Sequence, residues 1–263
     1  MRFSIYVTFA AGIAVAWSGD YQARLMFKQQ PMKMASAEAL CETETNAGLS
    51  VFAVRDPGAD CNVQTWTVPD LLSLMATHSL DGEVRGINDI QAQYTEQFGP
   101  GDYRPNLAVT YWGFRAMIGF GAVASFGAVV AWWLTRGGRD LPRKRWVRIA
   151  SIAIIPTPFL ANAFGWIFTE MGRQPWVVAP NPDGLPEVRL LTRDAVSGAV
   201  SSPMVITTLA GFALLYGALL VVEIGLLRRY VKAGPEAVMP PPDDGPPDGG
   251  DPDEEADVLA FAY

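Results

Sequence analysis

Histidine and cysteine are nearly missing from these 263 residues, which hold one His and two Cys. Cys41, Cys61 and His78 do not form a zinc-ligand spacing. The chain carries no P-loop, dinucleotide-binding glycine fingerprint, nucleophile elbow or internal repeat, so no nucleotide-dependent, serine-hydrolase or solenoid reading has a motif behind it. Charge is sparse too, at 18% of residues. The net charge of −7 is misleading, because residues 243–257 alone hold eight acids in a Pro/Gly-rich tail. Such a segment cannot bury a core and reads as a disordered, solvated tail. Nucleic acid is not an expected partner.

What is present is apolar surface. Hydrophobic residues make up 50% of the chain, with 8 Trp and a mean hydropathy of +0.16. That balance fits several membrane spans plus one sizeable aqueous segment. A span needs about 20 apolar residues because the hydrocarbon layer is about 30 Å thick. Three stretches qualify. Leu107 to Thr135 is apolar except for Arg115. Val147 to Thr169 carries Pro156 and Pro158, tolerated where neighbours satisfy the freed backbone groups. Pro203 to Leu227 is broken only by Glu223. A fourth stretch, Phe3 to Ser18, is short for a span. It reads as a retained helix or, with Arg2 before it and Ala16-Trp17-Ser18 after it, as a secretory signal. Trp17 suits a cleavage point poorly and favours the helix.

Basic residues set the orientation. Between the second and third stretches lie Arg136, Arg139, Arg143, Lys144, Arg145 and Arg148 against one acid, Asp140, which makes this connection cytoplasmic by the positive-inside rule. The expected fold class is an all-α membrane protein with about four transmembrane helices, a large extracytoplasmic loop and a disordered acidic tail. The expected divisions are a helix at 1–18, an outer loop at 19–106, a helix at 107–135, a cytoplasmic loop at 136–146, a helix at 147–170, an outer loop at 171–202, a helix at 203–228 and a cytoplasmic tail at 229–263. Cys41 and Cys61 share the outer loop, where a disulfide between them would close about 20 residues.

A few residues break the apolar pattern in ways that carry chemistry. An intramembrane Arg115 needs an anion or a cavity as partner, unless it snorkels to the headgroups. Met117 is either packing or a soft axial ligand for haem iron. Gly119 and Gly121 leave room for a flat macrocycle or for a close helix. Trp166 and Glu170, four apart, share a helix face. Glu170 is an interfacial carboxylate facing water, an iron or metal ligand, or a proton relay, and Arg173 would neutralise it or grip a propionate. On a regular helix Lys33 and Glu38, five apart, point about 140° from each other. They converge on one small molecule only from a bent segment.

Three blocks occur in order along this chain. They are Gln30-Pro31-Met32-Lys33-Met34-Ala35 with Glu38, Phe114-Arg115 with Met117 and Gly119, and Trp166 with Glu170 followed by Gly172-Arg173-Gln174-Pro175-Trp176. Together they resemble subunit I of the cytochrome bd quinol oxidases over residues 1 to 233. The resemblance implies that Lys33 and Glu38 interact with quinol in an outer quinol loop. It implies that Met117 is an axial ligand of a low-spin haem b with Arg115 as the neighbouring cation, that Glu170 ligates a high-spin haem b, and that Trp166 lies on the electron path. It further implies haem d, oxygen reduction to water, a bacterial plasma-membrane location, and subunit II as a partner. That family has about nine helices, and the histidine ligands of its front half have no counterpart here. The expected partner set therefore includes an amino-terminal half of subunit I, without which the chain is expected to be inactive. A haem-free membrane fragment or assembly protein is the alternative. A transporter using Arg115, Glu170 and Glu223 is disfavoured, because these charges sit at different depths with no repeat to pair them.

Overall fold

The computed structural model describes residues 2–55, 61, 63–142, 144–185 and 187–234. Arg143 and the acidic tail expected at 243–257 lie outside the described residues. The chain divides into two units, residues 1–196 and 197–263. The first unit opens with α1 (Arg2–Gln29), α2 (Pro31–Glu38), β1 (Glu44–Thr45), β2 (Leu49–Arg55), β3 (Val63–Val68), α3 (Leu71–Thr77), β4 (Glu83–Val84) and α4 (Ile87–Phe98). It continues through α5 (Leu107–Thr135), α6 (Arg145–Ile154), α7 (Thr157–Met171), β5 (Trp176–Val178) and β6 (Leu190–Leu191). The second unit holds α8 (Ser202–Ala233), with Pro203 in its first turn, Lys232 in its last and Gly234 closing it at φ 75°.

The protein is mostly helical, but the all-α expectation needs correcting in the two connections expected to be extracytoplasmic, residues 19–106 and 171–202, which pack together as one outer segment. There, three two-stranded antiparallel sheets form, pairing β1 with β4, β2 with β3 and β5 with β6. β-Branched and aromatic residues such as Val51, Phe52, Thr65 and Trp66 favour extended chain there. Among the described residues, three helical segments are long and apolar enough to cross a membrane: Leu107–Gly138, Arg145–Met171 and Ser202–Ala233. The four-span expectation included α1, which is not one of them. At 28 residues it has the length, but Asp20, Arg24 and Lys28 make its second half polar, and it runs well past residue 18.

Proline explains the break between α6 and α7. Pro156 and Pro158 have no N–H to give the carbonyls of Ile152 and Ile154 four residues earlier. Both carbonyls are met by other means. The Ile155 N–H tightens onto Ile152 O at 3.3 Å, and the Thr157 hydroxyl donates to Ile154 O at 2.8 Å. The break therefore leaves neither acceptor bare.

Glycine sets how closely α5 and α7 approach. A Cβ on Gly113 would lie 3.4 Å from the Phe168 nitrogen, and one on Gly165 only 2.9 Å from the Met117 sulfur. Phe114 against Phe168 and Phe120 against Phe164 complete this contact, with ring centroids 4.7 and 5.6 Å apart. At the other end of α5, Trp132 meets Phe9 of α1 edge to face.

The outer segment is held by its own core. Met32, Ala35, Ile87, Ile90, Tyr94, Tyr103, Leu107 and Trp176 form one buried cluster. Trp176 stacks on Tyr103 at 5.3 Å with planes 8° apart, and meets Tyr94 and Phe98 edge to face. Cys41 and Cys61 are bonded as a disulfide across 20 residues of sequence.

Candidate functional site

Helix α2 is where the outer segment meets the ends of α5 and α7. Pro31 at its first position has a preset φ and lacks only an N–H that a helix start leaves unused. All eight residues from Pro31 to Glu38 are buried. A helix buried on every side must find partners for each polar group it carries. Ser36 donates to Met32 O at 2.7 Å. Ala39 ends the helix in the left-handed region at φ 53°. Its turn lets the Leu40 N–H reach Ala35 O at 3.0 Å, a Schellman-type closure that normally takes glycine.

Glu38 faces α5. Its two carboxylate oxygens accept from both terminal nitrogens of Arg115, at 2.5 and 3.3 Å. The pair is well shielded, with the Glu38 side chain 3% and the Arg115 side chain 11% exposed. The guanidinium also lies 4.8 Å from the Tyr111 ring centroid and 5.3 Å from that of Phe114. Tyr111 in turn hydrogen bonds Ser50 of β2 at 2.9 Å. Arg115 is therefore a buried, partnered cation and not a snorkelling one. Burial pushes the Glu38 carboxyl above its ordinary value, against the pull of Arg115 and the Ser50 backbone.

Lys33 faces α7. Its Nζ lies 5.0 Å from the Phe168 ring centroid, and its stem lies against Gly172, where a Cβ would come within 2.9 Å of the Lys33 Cγ. Burial pushes the Lys33 amine below its ordinary value, reinforced by Arg173 and opposed by Glu170. Lys33 and Glu38 also line different cavities. Glu38 lines a cavity of about 410 Å³ with Cys41, Glu42, Glu44, Ser50, Cys61 and Thr67, whereas Lys33 lines one of about 20 Å³ beside Gly172 and Arg173. The structure does not bring these two side chains together; α2 is regular, and they point to opposite sides.

On the span helices, Met117 lies half-buried with its thioether over Gly165 of α7. It sits two residues from Arg115, so the two project from opposite sides of α5, one toward α7 and one toward α2. A Cβ on Gly119 or Gly121 would meet nothing within 4 Å, so these glycines border open space in this unit and not a close helix. Trp166 is 69% exposed. Glu170, one turn further, is half-buried and ion-paired to Arg173. His78 is on the surface, 3.5 Å from Asp20.

Among the described residues no three His, Cys, Asp or Glu side chains converge as a metal site. What the chain offers is single donors on helix faces, a soft thioether at Met117 and a carboxylate at Glu170. A macrocycle that brings its own ring ligands would ask the protein for single donors of this kind. The Arg115 Nε–H is buried without a protein acceptor, and the Arg173 side chain is 40% exposed, which leaves cationic groups for an anion such as a propionate. The residues present thus fit a haem-type cofactor.

Trp176 was visible in the sequence only as the end of a motif; its role as the centre of the outer aromatic core comes from the fold. Its position after Pro175 at a span end was the one signal available.

Fold and site define a helical membrane protein whose outer segment drives a buried base and a buried acid against the ends of helices bearing cofactor-type donors. Comparison with known proteins makes the class specific. The family model for cytochrome bd terminal oxidase subunit I matches residues 1–235, and the chain belongs to that family. It is 36% identical over 236 residues to the cytochrome bd ubiquinol oxidase subunit 1 of Bacillus subtilis (strain 168), covering 89% of this chain and 48% of the relative. It is 24% identical to the cytochrome bd-II ubiquinol oxidase subunit 1 of Escherichia coli (strain K12), over 89% of this chain and 55% of the relative. The solved bd oxidase of Geobacillus thermodenitrificans superposes with a TM-score of 0.68 at 28% identity, over 89% of this chain and 49% of that one. The chain spans about half the length of the curated relatives it matches.

Proposed function

We propose that this chain is part of subunit I of a bacterial plasma-membrane quinol oxidase, taking electrons from quinol at the outer face for oxygen reduction to water. The observation that carries the proposal is the buried Glu38–Arg115 pair, which ties the outer segment to the helix bearing Met117. Family membership and the ordered donors on α5 and α7 support it.

In this reading Met117 would hold the iron of a low-spin haem b and Glu170 that of a high-spin haem b, with haem d held by residues elsewhere in the complex. Bound haem supplies one-electron transfer and, at the high-spin sites, oxygen chemistry. Oxidation of a quinol releases two electrons and two protons, so the protein needs a group that takes up a proton. Glu38 has the properties for this role, since burial raises its affinity for a proton while Arg115 keeps the anion tolerable. Lys33, its amine held below its ordinary value by burial and by Arg173, presents N–H donors suited to hydrogen bond a quinol oxygen. Arg115, the cation that the resemblance sets beside the low-spin haem, projects from the other side of α5 and holds Glu38. Arg173 would hold a propionate or steady Glu170, and Trp166 presents an exposed aromatic ring on the Glu170 face, suited to an electron path.

The complete reaction requires further ligands, which we assign to an amino-terminal half of subunit I, together with subunit II, lipid, quinol and oxygen. The test is carried out in membranes holding this chain with those partners. Met117→Leu is expected to lose low-spin haem absorbance and Glu170→Ala high-spin absorbance, each with quinol-dependent oxygen uptake. Native spectra and uptake in both variants would overturn the ligand assignment.

A further inference from the structure

Three buried polar atoms, one at the α1–α2 junction and two in the segment after α7, have no protein partner: Gln30 Oε1, Arg173 Nε and Trp176 Nε1. All three residues line the same small cavity, together with Met32, Lys33 and Gly172. Its volume, about 20 Å³, is enough for one water, which needs roughly 10–15 Å³. Trp176 is 5% exposed, so its indole N–H cannot turn to solvent. A buried N–H or carbonyl left unpaired costs about 1–3 kcal/mol, and three on residues that line one cavity are not expected without a partner.

The chemistry of the three atoms is complementary to a single water. Trp176 Nε1–H and Arg173 Nε–H are donors, and Gln30 Oε1 is an acceptor. A water accepts two hydrogen bonds and donates two. It would accept from Trp176 and Arg173, donate to Gln30, and keep one hydrogen over. We infer that this cavity binds one ordered water, and that through it Gln30 and Trp176 act as positioning residues for Arg173. The Arg173 guanidinium is held at Nε from behind while a terminal nitrogen reaches Glu170. The junction before α2, the segment after α7 and the outer aromatic core are thereby tied at one point. The water site stands on these atoms alone; its influence on a haem at Glu170 rests on the function proposed above.

A structure of the assembled complex in nanodiscs, at a resolution that shows ordered waters, tests the site directly. One density peak within hydrogen-bond distance of Gln30, Arg173 and Trp176, about 2.7–3.2 Å, is expected. No peak, a direct Trp176–Gln30 bond, or density continuing into a ring or lipid chain would overturn the site. Three variants test the positioning role. Trp176→Phe keeps the ring but removes the N–H, and Gln30→Leu removes the acceptor; both are expected to lose the peak and loosen the Arg173–Glu170 pair. Gln30→Glu retains an acceptor and is expected to restore both. Loss of the peak with an unmoved Arg173–Glu170 pair would overturn the positioning role. If the haem spectrum follows the Arg173–Glu170 pair through this series, the effect extends to the cofactor. An unchanged spectrum, with peak and pair responding as expected, would count against the Glu170 ligand assignment and leave the water site intact.

Discussion

Removing the Glu38 carboxylate is expected to undock α2 from α5. In Glu38→Ala the Arg115 guanidinium stays in a site where its side chain is 11% exposed, with Tyr111 and Phe114 beside it and no other carboxylate paired to it among the described residues. Breaking a buried pair from one side costs about 3–5 kcal/mol, largely because the remaining charge is stranded. At about 1.4 kcal/mol per factor of ten, that weakens docking by roughly two to three and a half powers of ten. Removing both charges behaves differently. Glu38→Leu with Arg115→Met strands nothing and is expected to recover most of the loss. Hydrogen exchange of the α2 amides in nanodiscs reads the docking equilibrium, because these amides exchange when the helix opens. Exchange in Glu38→Ala should rise steeply while the double variant returns toward the native rate. Unchanged exchange in Glu38→Ala, or a double variant as exposed as the single, would refute the argument that this pair fastens α2.

Three other outcomes are expected. Cys61→Ser opens a 20-residue loop and should destabilise the outer segment by about 3 kcal/mol, seen as faster protease cleavage around β2 and β3 with the spans intact. Gly172→Ala places a methyl 2.9 Å from the Lys33 Cγ and 2.8 Å from the Phe168 carbonyl; overpacking of this kind costs about 1–3 kcal/mol and should lower the thermal midpoint of the purified chain. Finally, because burial lowers the folded-state value of the Lys33 amine, its contribution to stability is fully present above the unfolded amine value of 10.5. It is lost as pH falls through the lower folded value. Docking of α2 against α7 should therefore weaken on lowering pH across that window, and Lys33→Met should flatten the slope.

The membrane helices were legible because an apolar run of about 20 residues has few alternative fates. The Leu107 to Thr135 run is α5 from end to end. The break between α6 and α7 was legible in kind, since Pro156 and Pro158 remove two donors, but its repair by Thr157 was not. The extent of α1 was hidden because its second half is polar and its partners are distant in sequence. Hairpins in the outer segment were missed because β2 and β3 are short and stabilised by cross-strand pairing that no single segment reveals. In the site, the need of Arg115 for an anion could be argued from burial cost alone. Which anion could not, because Glu38 lies 77 residues away and its approach depends on how α2 docks.

The geometry of α2 gives the Lys33–Glu38 spacing a meaning that the sequence pattern left open. Five residues on a regular helix rotate about 140°, which counts against two side chains grasping one small molecule from the same side. The same rotation suits a helix wedged between two others. It delivers a carboxylate to Arg115 on α5 and an amine to the Phe168–Gly172 end of α7 in one rigid piece. A group that acts on the Lys33 side and a proton that leaves on the Glu38 side would then be separated by the helix itself. Lengthening this spacing tests the idea sharply. Inserting one alanine between Met34 and Ala35 rotates Glu38 by a further 100° relative to Lys33. It should break the Arg115 pair while leaving the Lys33 contacts with α7 in place. If α2 exchange and the Arg115 environment were both unaffected, the wedge would not be what holds these residues apart.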